Sequence, residues 1–146
     1  MFVLTLEKSS GAVIFYMERS MVLYLILHYP AGHWDFVKGN VEKGENEKRT
    51  TLREIKEETG LEDITFIPNF RKVVEYYYRR EGQVIRKRVS FYLAKSQKKD
   101  VKLSHEHQDY SWSSYTDSIN KITYRNARSL LKLANARIEN WLLDTM

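Results

Sequence analysis

The stretch from Gly39 to Leu61, GNVEKGENEKRTTLREIKEETGL, constrains this chain more than any other. It reads as a glycine-bearing loop followed by a helix that starts near Glu45–Glu47, where acids meet the positive end of the helix dipole. Gly60 is a natural residue to end that helix in a left-handed turn. Leu52, Ile55 and, past the end, Leu61 are expected to supply its apolar side. The helix also carries Glu54, Glu57 and Glu58 within two turns, with Arg53 beside them. Glu54 and Glu58 stand one above the other, and Glu57 is adjacent. Like charges at these spacings repel by roughly 0.2–0.5 kcal/mol per pair. A ridge that dense is easier to understand with a cation on it, and hard carboxylate oxygens suit Mg²⁺ or Mn²⁺. Such ions usually work on phosphates. The alternative is a solvated helix face, because surface helices are also rich in Glu, Lys and Arg.

Arg53 can hold a carboxylate in a fixed orientation by a bidentate contact, with Glu57 or Glu45 as the partner. The glycines before the helix let backbone approach a metal or a phosphate closely. The absence of cysteine excludes disulfides, thiolate catalysis, zinc–thiolate sites and iron–sulfur clusters. The N-terminal MFVLTLEKSS lacks the basic and apolar regions of a signal peptide, and Val22–Leu27 is far too short to span a membrane. A soluble, cytoplasmic protein is expected, folded as one domain over residues 1–146. Charge is uneven. Ile64–Lys102 holds eleven Lys/Arg against three acids, whereas Asn46–Asp63 holds four against six. One basic segment and one acidic ridge could grip a polyanion and a metal respectively. The bland account of the lysines is that they guard strand edges.

Phe2–Glu7, Gly11–Met17 and Met21–His28 read as strands, with a hairpin turn at Glu18-Arg19-Ser20. Tyr29–Gly44, with Pro30 and several glycines, reads as loop with a short extended piece. After the helix, Ile64–Phe70, Lys72–Tyr78 and Val84–Ala94 read as strands, with Glu81-Gly82 as a hairpin; His107–Trp112 is a weaker strand. Ser118–Leu143 has helical spacing with a break near Thr123. The order of elements argues an α+β fold, with helices packed on a mixed sheet.

Gly39, Glu45, Arg53-Glu54-Ile55, Glu57-Glu58, Gly60 and Leu61 match every fixed position of the pattern Gx5Ex7REUxEExGU, where U is bulky aliphatic. On that match the chain resembles the Nudix hydrolases. The resemblance implies an α/β/α sandwich around a mixed sheet and metal-dependent hydrolysis of a nucleoside diphosphate linked to another moiety. It implies that Glu57 and Glu58 are metal ligands, that Glu54 is a further ligand or the base that activates water, and that Arg53 and Glu45 hold loop and helix in place. The cofactor implied is Mg²⁺ or Mn²⁺.

Ser10–Phe15, His33-Trp34-Asp35-Phe36-Val37-Lys38-Gly39 and Leu103-Ser104-His105-Glu106-His107-Gln108-Asp109-Tyr110 further resemble the asymmetric diadenosine tetraphosphate hydrolases of animal and archaeal type. That likeness implies a substrate cleaved to ATP and AMP. It adds Glu106 as a carboxylate reaching the metal site. It also adds Tyr76 and Tyr124 flanking a base, with Lys38 and Lys87 on phosphates and His33 bordering the phosphate site. The chain departs from the pattern at Phe36-Val37, where relatives often have Pro-Pro, and at Asn40, where they often have His.

Read on their own chemistry, these residues have plainer alternatives. His105 and His107 suggest zinc, but strand alternation would set them opposite Glu106, and histidine-only zinc sites need a third ligand. Alternation also puts Tyr76 and Tyr78 on one face and Tyr77 on the other, so all three cannot contact one ligand. Trp34, Trp112 and Trp141 read as packing. Other substrates stay open: ADP-ribose, an oxidised nucleotide or the triphosphate end of RNA. So does a non-catalytic nucleotide- or RNA-binding module. A nucleotide partner is expected, RNA is second to it, and neither a membrane nor a protein partner is expected.

Overall fold

A parallel pairing of two long strands organises the molecule. In the computed structural model, which describes residues 4–145, β1 (Leu4–Glu18) runs beside β6 (Gln83–Ser96) in register from Leu4↔Val84 to Phe15↔Lys95. β1 is therefore one strand, not the two expected. Lys8-Ser9-Ser10 has little strand propensity, but β6 supplies backbone hydrogen bonds throughout. Residues 2 and 3 of the expected first strand lie outside the described residues. The far edge of β1 is shared, with β2 (Met21–His28) pairing at Phe15–Glu18 and β4 (Val37–Asn40) at Ser9–Ala12, both antiparallel. β2 also pairs with β3 (Trp34–Asp35) and β7 (Asp109–Ser113), and β5 (Ile64–Arg80) pairs with β6. Among the described residues the sheet is thus mixed and seven-stranded.

The two strands expected over Ile64–Tyr78 are likewise one, β5, with a bulge between Phe66 and Arg71. Asn69 takes the left-handed conformation there, at φ 63°. The bulge flips the register, so the alternation differs on its two sides.

Side chains alternate between two cores. Val13, Phe15 and Tyr24 point to one face, where Leu130, Leu131, Ala134 and Ile138 of α3 (Arg125–Asp144) cover them. Ala12, Ile14 and Leu25 point to the other, against Ile55 of α1 (Glu47–Thr59) and Leu61. Helices on both faces make the α/β/α layering that the sequence resemblance implies. The break near Thr123 is real and separates α2 (Tyr115–Lys121) from α3. Among the described residues no helix is long and apolar enough to cross a membrane.

α1 starts where its acids indicated. The Asn46 side chain caps it by accepting from the Arg49 amide, and Gly60 ends it at φ 75°. Its buried side differs from expectation. Leu52 is exposed, while Thr50, Thr51, Ile55, Glu58 and Thr59 are buried. The threonine hydroxyls are satisfied locally: Thr51 bonds Ser10 on β1 at 2.7 Å and donates to the Glu47 carbonyl at 2.9 Å.

Candidate active site

Two glycines let α1, β1 and β4 come together. A Cβ on Gly11 would lie 2.1 Å from the Val37 carbonyl oxygen, and one on Gly39 would lie 2.0 Å from the Glu54 carboxyl carbon. Gly39, on β4, thus makes room for the Glu54 side chain of α1. Gly39→Ala must push Glu54 aside, and a fall in turnover of at least about tenfold is expected, since misplacing a reacting group by 1 Å costs up to about 10² in rate. A steady-state assay beside a far-UV spectrum checks this, and unchanged turnover would show that the position of Glu54 is immaterial.

Arg53 is the organising cation. Its Nε and Nη2 donate to both oxygens of Glu45, at 2.7 and 3.0 Å. Nη2 also donates to the Asn40 carbonyl at 2.9 Å, and Nη1 donates to Glu54 at 2.8 Å and Glu57 at 3.2 Å. Of the two partners open in the sequence, Glu45 takes the bidentate contact and Glu57 a single one. The guanidinium holds Glu45 at about 2, well below the usual carboxylate range.

The ridge above it is electrostatically uncomfortable. Burial first, and then the charges of Glu54, Glu106 and Glu57, push the Glu58 carboxyl up to about 9. Partial burial also raises Glu54, against the pull of Arg53. Oε2 of Glu58 is buried with no hydrogen-bond partner. Among the described residues no three acidic or imidazole side chains already stand as a ligand set. Arg53 lies between Glu54 and Glu57 and draws them to itself. The donor set still fits a hard divalent cation. It is all carboxylate, it includes an orphaned buried oxygen, and its mutual repulsion is what a cation would relieve.

Glu106 does not lie in a strand. Residues 105 and 106 form a turn before β7, so the alternation expected for His105, Glu106 and His107 does not apply. His105 is exposed and His107 buried, His28 stacks on Trp34, and His33 stacks on Tyr29, so no histidine group for zinc forms among the described residues. The turn is tied to the end of α1 by Lys102 N–H to Thr59 O at 2.9 Å and Ser104 N–H to Glu58 O at 3.3 Å. That is why Glu106, remote in sequence, acts on both Glu54 and Glu58.

On the opposite face a cavity of about 420 Å³ opens between β5, β6 and the start of α3. His33, Lys38, Tyr76 and Tyr124 all line it, four of the five residues expected to contact substrate. The Lys38 ammonium sits 5.8 Å from the Tyr76 ring centroid and 3.3 Å from Asp35. Tyr76 and Tyr78 share a face, with ring centroids 6.3 Å apart, and Tyr77 points away and is 62% exposed. Lys87, the fifth, does not line the cavity. It is paired across the ladder with Tyr76 and donates to Asn40 at 2.8 Å. Trp141 packs edge-on to Phe15, and Trp112 donates to the Lys99 carbonyl at 3.0 Å.

Three residues have parts that the sequence reading did not assign. Buried Asp35 accepts from the Phe36 amide at 2.7 Å and pairs with Lys38, fixing the lysine at the cavity. Tyr29 donates to the Phe36 carbonyl at 2.6 Å and meets the His107 ring edge-on at 4.6 Å. His107 Nε2 is buried without a partner, 3.7 Å from Glu58. Asp35 and His107 sit inside the two motifs already quoted, and that position could have drawn notice to them. Tyr29 carried no such signal.

The model of the NUDIX domain matches residues 2–133. The chain is 34% identical over 134 residues to the asymmetrical bis(5'-nucleosyl)-tetraphosphatase of Caenorhabditis elegans, covering 88% of this chain and 94% of that protein. It is 32% identical over 137 residues to the Mus musculus protein of the same name, covering 86% and 90%. Its fold is similar to a crystal structure of a C. elegans Ap4A hydrolase binary complex, with TM-score 0.78, 31% identity, and 94% and 98% of the two chains covered.

Proposed function

This chain belongs to the NUDIX family and is a Nudix pyrophosphohydrolase, and from that premise we propose that it hydrolyses diadenosine tetraphosphate asymmetrically, to ATP and AMP. One observation carries the choice of substrate. Two tyrosines distant in sequence, Tyr76 and Tyr124, line one cavity together with Lys38. Two aromatic rings suit a nucleobase, and an ammonium beside them suits its phosphates. The relatives named for tetraphosphatase activity support the same reading.

Hydrolases of this family generally need divalent metal ions. Glu57 and Glu58 would hold Mg²⁺ or Mn²⁺ here, joined from the 105–106 turn by Glu106, with Glu54 either a further ligand or the base. A bound ion of this kind neutralises phosphate oxygens and lowers the pKa of water. The protein's own groups do the rest. Glu54, with its raised pKa, is suited to take the proton of the attacking water if it is not itself a ligand. Arg53 keeps Glu54 and Glu57 oriented from behind. Lys38 and, beyond the cavity, Lys87 offset the charge of the phosphate chain. The oxygen of water bonds to one phosphorus as the bond from that phosphorus to its bridging oxygen breaks. The bridging oxygen leaves on the other nucleotide, so that ATP and AMP separate, and the proton lost by water passes through the base to solvent.

A product-resolved screen with Mg²⁺ and with Mn²⁺ tests this reading. Diadenosine tetraphosphate is expected to be preferred over ADP-ribose and over RNA triphosphate ends, with ATP and AMP as products. A preference for ADP-ribose would overturn the substrate. Absence of turnover on every pyrophosphate would favour a binding module. Stacking on an aromatic is worth about 1–3 kcal/mol per base. Tyr76→Ala is therefore expected to raise KM roughly ten- to a hundredfold while metal activation stays as in wild type. An unchanged KM would remove Tyr76 from the site.

A further inference from the structure

The α1 face of the sheet is only partly covered. α1 packs on Ser10, Ala12 and Ile14, and below them three rows of side chains are left bare among the described residues. The registers of β1, β6 and β5 define these rows as Lys8–Arg88–Glu75, Leu6–Arg86–Tyr77 and Leu4–Val84–Arg79. Leu4, Leu6 and Tyr77 are 49%, 45% and 62% exposed. This is the surface to which Arg79, Arg86 and Arg88 of the basic segment point, away from the substrate cavity.

A second cavity of about 560 Å³ opens where this bare face meets the start of α1. Lys8, Lys48, Arg71 and Arg88 line it, with Glu45 and Glu47. Both acids are already engaged. Glu45 is bound by Arg53, and Glu47 by Arg71 through two hydrogen bonds of 2.9 Å. Lys8, Lys48 and Arg79 make no ion pair among the described residues. Arg86 and Arg88 share the single carboxylate of Glu75, at 2.8 and 3.1 Å, and the Arg86 Nε is buried without a partner. Cations in excess of their acids thus surround an exposed aromatic ring and an apolar floor.

We propose that this face binds single-stranded nucleic acid, with the phosphates on Lys8, Lys48, Arg79 and Arg88 and a base on Tyr77. The charge selects a polyanion. The open sheet with an aromatic on it selects one that carries unpaired bases. A folded acidic protein would also meet the cations, but a single strand carries a base beside every phosphate, so it presents charge and a stacking ring together at the spacing of this face. The site lies on the sheet face opposite Tyr76 and Lys38, so it is separate from the proposed substrate cavity, and turnover of a dinucleotide does not need it.

The test is fluorescence anisotropy with a labelled oligouridylate of about 12 nucleotides, within the site sizes such surfaces use. It carries a 5′-hydroxyl and therefore no pyrophosphate to cleave. Binding is expected, weakening as salt rises. Lys8→Ala/Lys48→Ala is expected to weaken it about tenfold or more and to flatten the slope of log K against log salt by about 1.4. Tyr77→Ala is expected to weaken it at least about fivefold, with the salt slope unchanged. Nudix turnover should be unaltered in both variants, which also reports that they fold. No binding at low salt overturns the proposal. So does competition by diadenosine tetraphosphate or sensitivity to Tyr76→Ala, either of which moves the oligonucleotide to the substrate cavity. Binding of inorganic polyphosphate as tight as that of the oligonucleotide overturns the role of the bases. Failure of any of these leaves the product-resolved screen unaffected.

Discussion

Glu58→Gln is expected to lower turnover by about a thousandfold or more and, at the same time, to make the metal-free protein more stable at neutral pH. The first effect follows from the proposed role of Glu58 as a metal ligand, since the amide keeps the shape and removes the charge. The second follows from its surroundings. Burial and three neighbouring carboxylates hold Glu58 at about 9, against 4.5 ordinarily. Below pH 4.5 the group is protonated whether the chain is folded or not, and it costs nothing. As pH rises from 4.5 to 9 the unfolded chain ionises and the folded one keeps its proton, so wild type steadily loses stability over that window. At pH 7 the loss amounts to about 3 kcal/mol at 1.36 kcal/mol per pH unit. Glutamine does not titrate, so its melting temperature should be flatter across the window. Added Mg²⁺ should raise the melting temperature of wild type and leave the variant nearly unmoved. Thermal melts from pH 5 to 9 with chelator or Mg²⁺, beside a turnover assay, check both effects. A variant that turns over normally at saturating Mg²⁺ would remove Glu58 from the metal site.

Arg53→Ala is expected to cost roughly a hundred- to a thousandfold in turnover and also to destabilise the fold. Five hydrogen bonds are lost together, to Glu45, Asn40, Glu54 and Glu57. The loop from Asn40 to Glu45 then loses its tie to α1, and Glu54 loses the group that offsets its burial. Arg53→Lys keeps the charge but not the fork, and one ammonium cannot reach the Asn40 carbonyl, both Glu45 oxygens and Glu54. Its turnover should fall nearer to alanine than to wild type. The pH dependence has the opposite sign to that of Glu58. Glu45 is held at about 2 in the folded protein, so its contribution is present above pH 4.5 and is lost as pH falls toward 2. The alanine variant should lack that part of the acid limb. A variant with wild-type turnover and an unchanged acid limb would show that the network is incidental.

These two side chains lie only five positions apart, yet the sequence disclosed them unequally. Arg53, its pairing with Glu45 or Glu57, and both ends of α1 were legible because they depend on short-range geometry: helical spacing, the glycine that ends the helix and charge near the dipole. The hairpins at Arg19 and at Glu81-Gly82 were legible for the same reason, since each is a tight turn of a few residues, with positive φ at Arg19 in the first and at Glu81 and Gly82 in the second. Family resemblance extended that reach to Glu106, Tyr76 and Tyr124, which no local rule would have grouped.

What the sequence determined is the inventory: a capped acidic helix, a mixed set of strands, and the side chains able to handle a metal and a nucleotide. Tertiary structure alone decided which of them are buried and which stand together. It turned Leu52 outward and Glu58 inward, because α1 lies on β1 by its threonine side. It joined two expected strands into β1, because a parallel neighbour supplies hydrogen bonds that Lys8-Ser9-Ser10 cannot claim by propensity. It set Tyr124 across a cavity from Tyr76 and kept Lys87 out of it, and it left Tyr77 on a bare cationic face. Burial, and hence the pKa of a carboxylate or the use of a ring, belongs to the pair of surfaces that meet, and one-dimensional spacing carries no record of which surfaces those are.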